Sequence, residues 1–461
     1  MELTKANNGE VQESGSHENS SDERENISQS VTKKYKQDGV WSWIVCLSAS
    51  LSIAIAIGIC FSYGVLLPVF VDYFKVSREK AALVGSLAMC FTFLFGPVAG
   101  IVVQRFGCRV ATIVGGLTCS IGLFCSSLPK NMDILFVSYS FLHGFGSSLI
   151  FTSCLVVSSL YFSKRRSIST GIVTAGQGMG VLMFGPIINS LVTGLGWRKA
   201  FLVLGGIMLL VCFLAMTFSN NVEKADEDNR EVAANKHIRP FEGPLYKNAV
   251  FVVITLAASI CMFGEYIPQV HIVSHGNDLG ISSNDGSKLY ILFGLGSSIS
   301  RIGTGLLCDF YAFVNPRWLF QGTEFFIGIA IILSTLTKTY TGLATYFFFY
   351  GFFEGIYVTT LNIHLLNCTV VDKRPMAFGV SVALNALFTA SGPPIAGLMA
   401  DKFGSYNPSF YMAGAFTIVG AIVPFAIPRL SHIISKPSVR EHVSINDDLQ
   451  NNTELLLETS I

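Results

Sequence analysis

Between Trp41 and Leu430 the chain alternates long uncharged apolar runs with short polar connections. Twelve of these runs hold the roughly 20 residues that a helix needs to cross a bilayer. They lie at about 41–67, 81–103, 110–128, 133–161, 168–194 and 197–218, then at about 247–273, 286–308, 317–336, 339–366, 377–400 and 409–430. The longest internal polar segment, 219–246, divides them six and six. The pattern predicts an all-α integral membrane protein: a polar tail (1–37), a six-helix bundle (38–218), a connecting loop (219–246), a second six-helix bundle (247–430) and a polar tail (431–461).

Lys and Arg set the expected orientation, because cytoplasmic loops carry the excess of cations. With both termini inside, nineteen Lys and Arg fall in inner loops and adjacent tail residues, against nine in outer connections. Both termini and the 219–246 loop are therefore expected in the cytoplasm. The sequons at Asn26 and Asn451 are expected to stay unglycosylated. Residues 1–37 lack apolar periodicity and any apolar leader core, so the first span itself is expected to direct insertion. The halves also repeat weakly: Gly100 and Gly305 follow the second and eighth runs, and Gly185-Pro186 matches Gly392-Pro393 at a similar offset.

Composition narrows the function. Half of the residues (51%) are hydrophobic and 13% are charged, against about 25% charged in soluble domains. A net charge of +1 gives no electrostatic basis for binding nucleic acid. The 11 Cys form no CxxC or Cys/His metal spacing and read as small buried hydrophobes, so no metal or cofactor is expected. No phosphate-binding Gly-x-x-x-x-Gly-Lys-Ser/Thr loop and no nucleophile–base constellation occurs, which argues against an ATPase or another enzyme.

Two motifs are more specific. Tyr161-Phe162-x-Lys164-Arg165-Arg166 leads into a run holding Gly171, Gly176 and Gly180, and Asp38-Gly39-x-Trp41-x-Trp43 leads into the first run. Together, in this order, they resemble signatures of the monocarboxylate transporter family. The resemblance covers the hydrophobic body from Asp38 to about Leu430 and implies a major facilitator fold. It also implies a small organic anion as substrate, a plasma-membrane location and a single-span immunoglobulin-type ancillary partner; the alternatives are a relative that carries aromatic amino acids, creatine or hormone-like acids, and a non-transporting receptor or scaffold. The glycines are poor in a soluble helix but let helix backbones approach closely in lipid. Trp41 and Trp43 read as interfacial anchors and Asp38 as a structural marker. Lys164–Arg166 read as a topology signal that also suits a cytoplasmic gate with Asp309.

Arg301 is the most informative single residue, a cation deep in the eighth run. Such a charge is expensive and faces a cavity or a partner. The family has an Arg at the matching place, which implies that its guanidinium grips a substrate carboxylate through two hydrogen bonds. Glu354, in the tenth run, falls at nearly the same depth. It is either the ion-pair partner of Arg301 or a carboxyl bonded to Ser, Thr or water. Ser297, Tyr63, Phe352, Tyr357 and Asn385 are the further candidates for contact with substrate, and Asn362 is placed to meet substrate or a neighbouring helix. Glu265 is expected to reach the outer interface and Glu324 to snorkel toward the inner one. His143, His271 and His364 read first as hydrogen-bonded helix residues.

The sequence departs from the resemblance at one point. Proton-coupled lactate carriers of the family have a Lys in the first helix and an Asp one turn before the eighth-helix Arg. Here no Lys lies between Trp41 and Phe74, where Phe61 or Leu67 takes the matching place, and the residue four before Arg301 is Ser297. A serine hydroxyl does not exchange a proton near neutral pH. Transport is therefore expected to be facilitated, or only weakly dependent on the proton gradient, with Glu354 the one residue placed to reverse that.

Overall fold

The computed structural model describes residues 35–219, 222–223, 248–310, 316–367 and 374–426. Among the described residues twelve long helices carry the apolar runs. The first half contains α1 (Val40–Phe74), α2 (78–106), α3 (108–125), α4 (Asp133–Tyr161), α5 (Arg166–Leu195) and α6 (Trp197–Thr217). The second contains α7 (Ala249–Asp278), α8 (Ser283–Phe310), α9 (Pro316–Ser334), α10 (Tyr340–Asn367), α11 (Arg374–Phe403) and α12 (Asn407–Ile422). The outer surface is apolar, with Ile101, Phe106, Leu117, Phe213 and Phe326 exposed, as lipid contact requires.

Local sequence explains the breaks. α2 bends at Phe95, just before Pro97, which cannot donate to the helix ladder. The connection from α2 to α3 is essentially Gly107 alone, at φ 84°, a conformation that costs glycine little. Within α4, Phe136–His143 is wound as a π-helix.

The internal repeat is visible in which helices pair. In the first half α1 packs on α5, α2 on α4, and α3 on α6; in the second α7 packs on α11, α8 on α10, and α9 on α12. Adding six to each number in the first set gives the second. Between the halves α2 lies along α11 and α5 along α8, and these two contacts exchange under the same operation. A parallel two-fold repeat accounts for the arrangement.

Glycine makes the central contacts possible. On α5, Gly176 and Gly180 are four apart and share a face; a Cβ on them would collide with the Ser50 and Ala54 carbonyls of α1. Gly171, Gly178 and Gly185, seven apart, turn to α8, where a Cβ would come within 2.9 Å of Arg301 O and 2.6 Å of Ser298 Oγ and Tyr290 Cβ. α5 is thus pressed between its own bundle and the other one. In the second half Gly392 of α11 closes on the Phe263 carbonyl of α7, the counterpart of the α1–α5 contact.

The two signature motifs form one unit. Asp38, at φ 55°, accepts through Oδ2 from the Ser163 hydroxyl (2.9 Å) and from the Ser163 and Lys164 backbone N–H groups (3.3 and 3.2 Å). Its own N–H donates to Tyr161 O, and the Trp43 ring meets Phe162 edge-on at 4.9 Å. Asp38 therefore clasps the α4–α5 turn, on the face of the protein that also carries the ends of α6 and the start of α7. This is called the terminal face below, and the opposite one the far face.

Candidate functional site

The deepest charges are brought together by α8 and α10. Arg301 Nη2 donates to Glu354 Oε1 at 2.6 Å, and the Ser297 hydroxyl donates to Glu354 Oε2 at 2.8 Å while accepting from Arg301 Nε at 3.0 Å. Ser297 and Arg301 are one helical turn apart and so share a face. Gly355 leaves room for that face, since a Cβ there would sit 3.1 Å from the Arg301 side chain. Arg301 is fully buried and Glu354 nearly so. Two charges removed from water are held only by good geometry and added hydrogen bonds, both present here. Arg301 Nη1 has no hydrogen-bond partner among the described residues.

Beside this pair a cavity lies between the halves. Its volume is about 70 Å³. From the first half it is lined by Phe61, Met89, Phe93, Phe151 and Gln177; from the second by α7 (Met262, Glu265, Tyr266, Gln269), α10 (Glu354, Val358, Leu361, Asn362) and α11 (Val382, Asn385, Thr389). Glu354 reaches the wall, and Arg301 lies behind it.

The far face is latched across the halves. Arg78, at the start of α2, makes a two-pronged pair with Asp278 (2.8 and 3.0 Å), and its backbone N–H donates to Asp401 at 3.1 Å. Its guanidinium sits over the Tyr406 ring, 5.2 Å from the centroid. Nearby, Asn189 donates to Asn284 at 3.0 Å, and the Tyr290 hydroxyl, packed against Gly64, donates to the Gln269 carbonyl. Among the described residues both ion pairs between the halves are made by Arg78.

Arg301, Ser297 and Glu354 thus form one cluster, and Asn385 lines the cavity while accepting from Ser259 at 2.8 Å. Asn362 also lines it. Three of the aromatic candidates stand elsewhere. Tyr63 donates to Ala81 O at 2.6 Å and packs on Gly85, Tyr357 packs on Phe320 at 5.4 Å, and Phe352 meets Phe353 edge-on at 5.9 Å. His271 is hydrogen-bonded to Tyr406 and the Pro393 carbonyl, whereas His143 is buried against Tyr139 with neither ring nitrogen bonded among the described residues. The side chain of Asp309 lies outside the described residues, and with it the proposed gate to Lys164–Arg166.

Two acids differ from expectation. Glu265 does not reach an interface: it is 2% exposed and lines the cavity. α7 runs on to Asp278 instead of ending near 273, which puts Glu265 close to the middle of the helix. Glu324 does not snorkel either. It is fully buried because α9 turns that face into the bundle. Neither carboxyl has a nitrogen or oxygen partner among the described residues.

A buried, charge-lined cavity between two halves that repeat in parallel is the architecture of a membrane transporter. The chain belongs to the Major Facilitator Superfamily, which it matches over residues 49–368 and 254–446. It is similar to mouse monocarboxylate transporter 10 (27% identity; 85% of this chain, 79% of the relative) and to chicken monocarboxylate transporter 4 (28%; 87% and 85%). The resemblance carried by the two motifs thus extends to curated relatives along most of the chain. Among solved structures, a bacterial homolog of the human lysosomal transporter Spinster, inward-facing and unoccupied, superposes with a TM-score of 0.65 at 15% identity, covering 85% of this chain and 98% of that one. That likeness concerns the fold alone.

Proposed function

We propose that this chain is a secondary transmembrane transporter of monocarboxylic acids or related small organic anions, working by alternating access between its two bundles, 38–218 and 247–430. The observation that carries the reading is the buried Arg301–Glu354–Ser297 cluster beside the cavity. A substrate carboxylate entering the cavity displaces Glu354 and takes up the guanidinium, using the unspent Nη1 as a second prong. The Arg78 latch on the far face then opens as the terminal face closes. The protein sits in the plasma membrane with both termini in the cytoplasm, and glycan on Asn26 or Asn451 would overturn that orientation. The family resemblance supports a single-span immunoglobulin-type ancillary partner.

Transport is facilitated or only weakly coupled to protons, since Ser297 stands where an acid would be needed and the first helix has no Lys. Uptake into liposomes with an imposed pH difference and a clamped membrane potential tests this. Accumulation above equilibrium, driven by an inward proton gradient alone, would sink it and point to Glu354 as the acid. A receptor or scaffold would show no uptake at all. A second reading, a carrier of aromatic amino acids, creatine or hormone-like acids, is favoured by one observation: the bare carboxyl of Glu265 in the cavity wall.

A further inference from the structure

The cavity holds two acids in different circumstances. Glu354 is satisfied by Arg301 and Ser297. Glu265 is equally buried, faces the same cavity and has both oxygens unbonded among the described residues. Leaving such a group unsatisfied costs about 1–3 kcal/mol, and more if it is charged. The two are held close together: the Tyr350 hydroxyl, one turn before Glu354 on α10, donates to the Glu265 backbone carbonyl, and Gln269 donates to that hydroxyl at 3.3 Å. Opposite them, Phe61, Met89, Phe93 and Phe151 form an apolar wall.

We propose that Glu265 is a cation-recognising residue and that the substrate is a zwitterion: a 2-amino acid whose ammonium bonds Glu265, whose carboxylate takes Arg301, and whose apolar side chain lies against the first-half wall. The proposal rests on the reading of Arg301 given above. It adds a group that a simple monocarboxylate leaves unpaired, and a site with an unpaired buried polar group discriminates strongly against ligands that fail to meet it.

The test is uptake by the full chain in liposomes of alanine, valine, leucine and phenylalanine, each against the 2-hydroxy acid of the same skeleton, with protein-free liposomes as background. The wild type should prefer each accepted amino acid by about tenfold or more in kcat/KM. Glu265→Gln, which breaks no hydrogen bond among the described residues, should erase or invert that preference while the hydroxy acid is still carried, and Glu265→Asp should keep it. Arg301→Ala should lose both members of every pair. Equal uptake of both members by wild type, or a preference unchanged in Glu265→Gln, overturns the ammonium assignment and leaves the carboxylate reading standing. A preference erased by Glu354→Gln but not by Glu265→Gln moves the ammonium to Glu354 and also overturns it. An effect of Glu265→Gln on pH dependence alone makes Glu265 a proton site and overturns it. Full transport by Arg301→Ala, or no uptake of any pair, defeats both readings.

Discussion

The two halves share one helix-pairing scheme but divide the work at the cavity. Among the described residues the first half offers aromatic and sulfur side chains and a single polar group, Gln177; the second offers Glu265, Gln269, Glu354, Asn362, Asn385 and Thr389, with Arg301 behind them. Fold symmetry is kept by backbone contacts, chiefly glycine against carbonyl, which are indifferent to polarity. Charge has no such constraint, and here it has gathered in one half. Under the proposed alternating-access cycle, the second half would carry the binding chemistry while the first would supply a close-fitting cover.

The largest expected effect comes from breaking the buried pair. Arg301→Ala leaves Glu354 uncompensated and should cost about 3–5 kcal/mol of stability, besides lowering uptake by about 100-fold. Arg301→Met with Glu354→Leu should recover most of the melting temperature and none of the transport. Recovery of transport by the double variant would remove the second half's claim to the chemistry.

Next come the two faces of α5. Gly180→Val drives a side chain into the Ala54 carbonyl within the first bundle and should destabilise the protein by about 1–3 kcal/mol. Gly178→Val faces Ser298 and Gly294 across the halves. It should slow turnover more than it lowers melting temperature, because that contact must slide in every cycle. Equal losses of stability from both would show the halves to be one rigid body.

Smaller still is the far-face latch, where Arg78 and Asp278 are about one-third exposed (30% and 29%). Arg78→Gln should change stability by no more than about 1 kcal/mol, yet speed alkylation of a cysteine placed at Asn284. Unchanged alkylation would mean that the latch does not hold the far face shut. Gln177→Leu should be the mildest, altering KM by less than about threefold. A tenfold change would show that the first half also binds substrate through polar contact.

How much of this was legible in the sequence follows from what each feature depends on. The twelve spans depend on length and apolar content, and the α5 glycines on spacing, so both are written in the chain. Arg301 and Glu354 lie a similar number of residues from the far end of their helices, which sets a common depth, and depth suffices for two groups on facing surfaces. Glu265 and Glu324 required more. The polar end of α7, Ser274 to Asp278, looks like a loop but continues the helix, which shifts the reckoning of depth for Glu265. For Glu324 the sequence sets the depth but not the rotation of α9: a carboxyl two turns from an interface reaches it from one face and is entombed on the other. Tyr63, Phe352 and Tyr357 lie off the cavity for the same reason, since an aromatic in an apolar helix has no feature that fixes its azimuth.

The clasp at Asp38 bears on how the protein is made. The acceptor of its bonds is synthesised first, and the donors at Ser163 and Lys164 follow 125 and 126 residues later. At about 5–20 residues per second, that interval is roughly 6–25 s. Throughout it the first helix must hold its place in the bilayer without its closing contact, and the bundle cannot be sealed until the fifth helix begins to enter. Ribosome-bound chains arrested before Tyr161 should accordingly remain open to protease at Gln37, with protection arriving only once the α4–α5 turn has emerged.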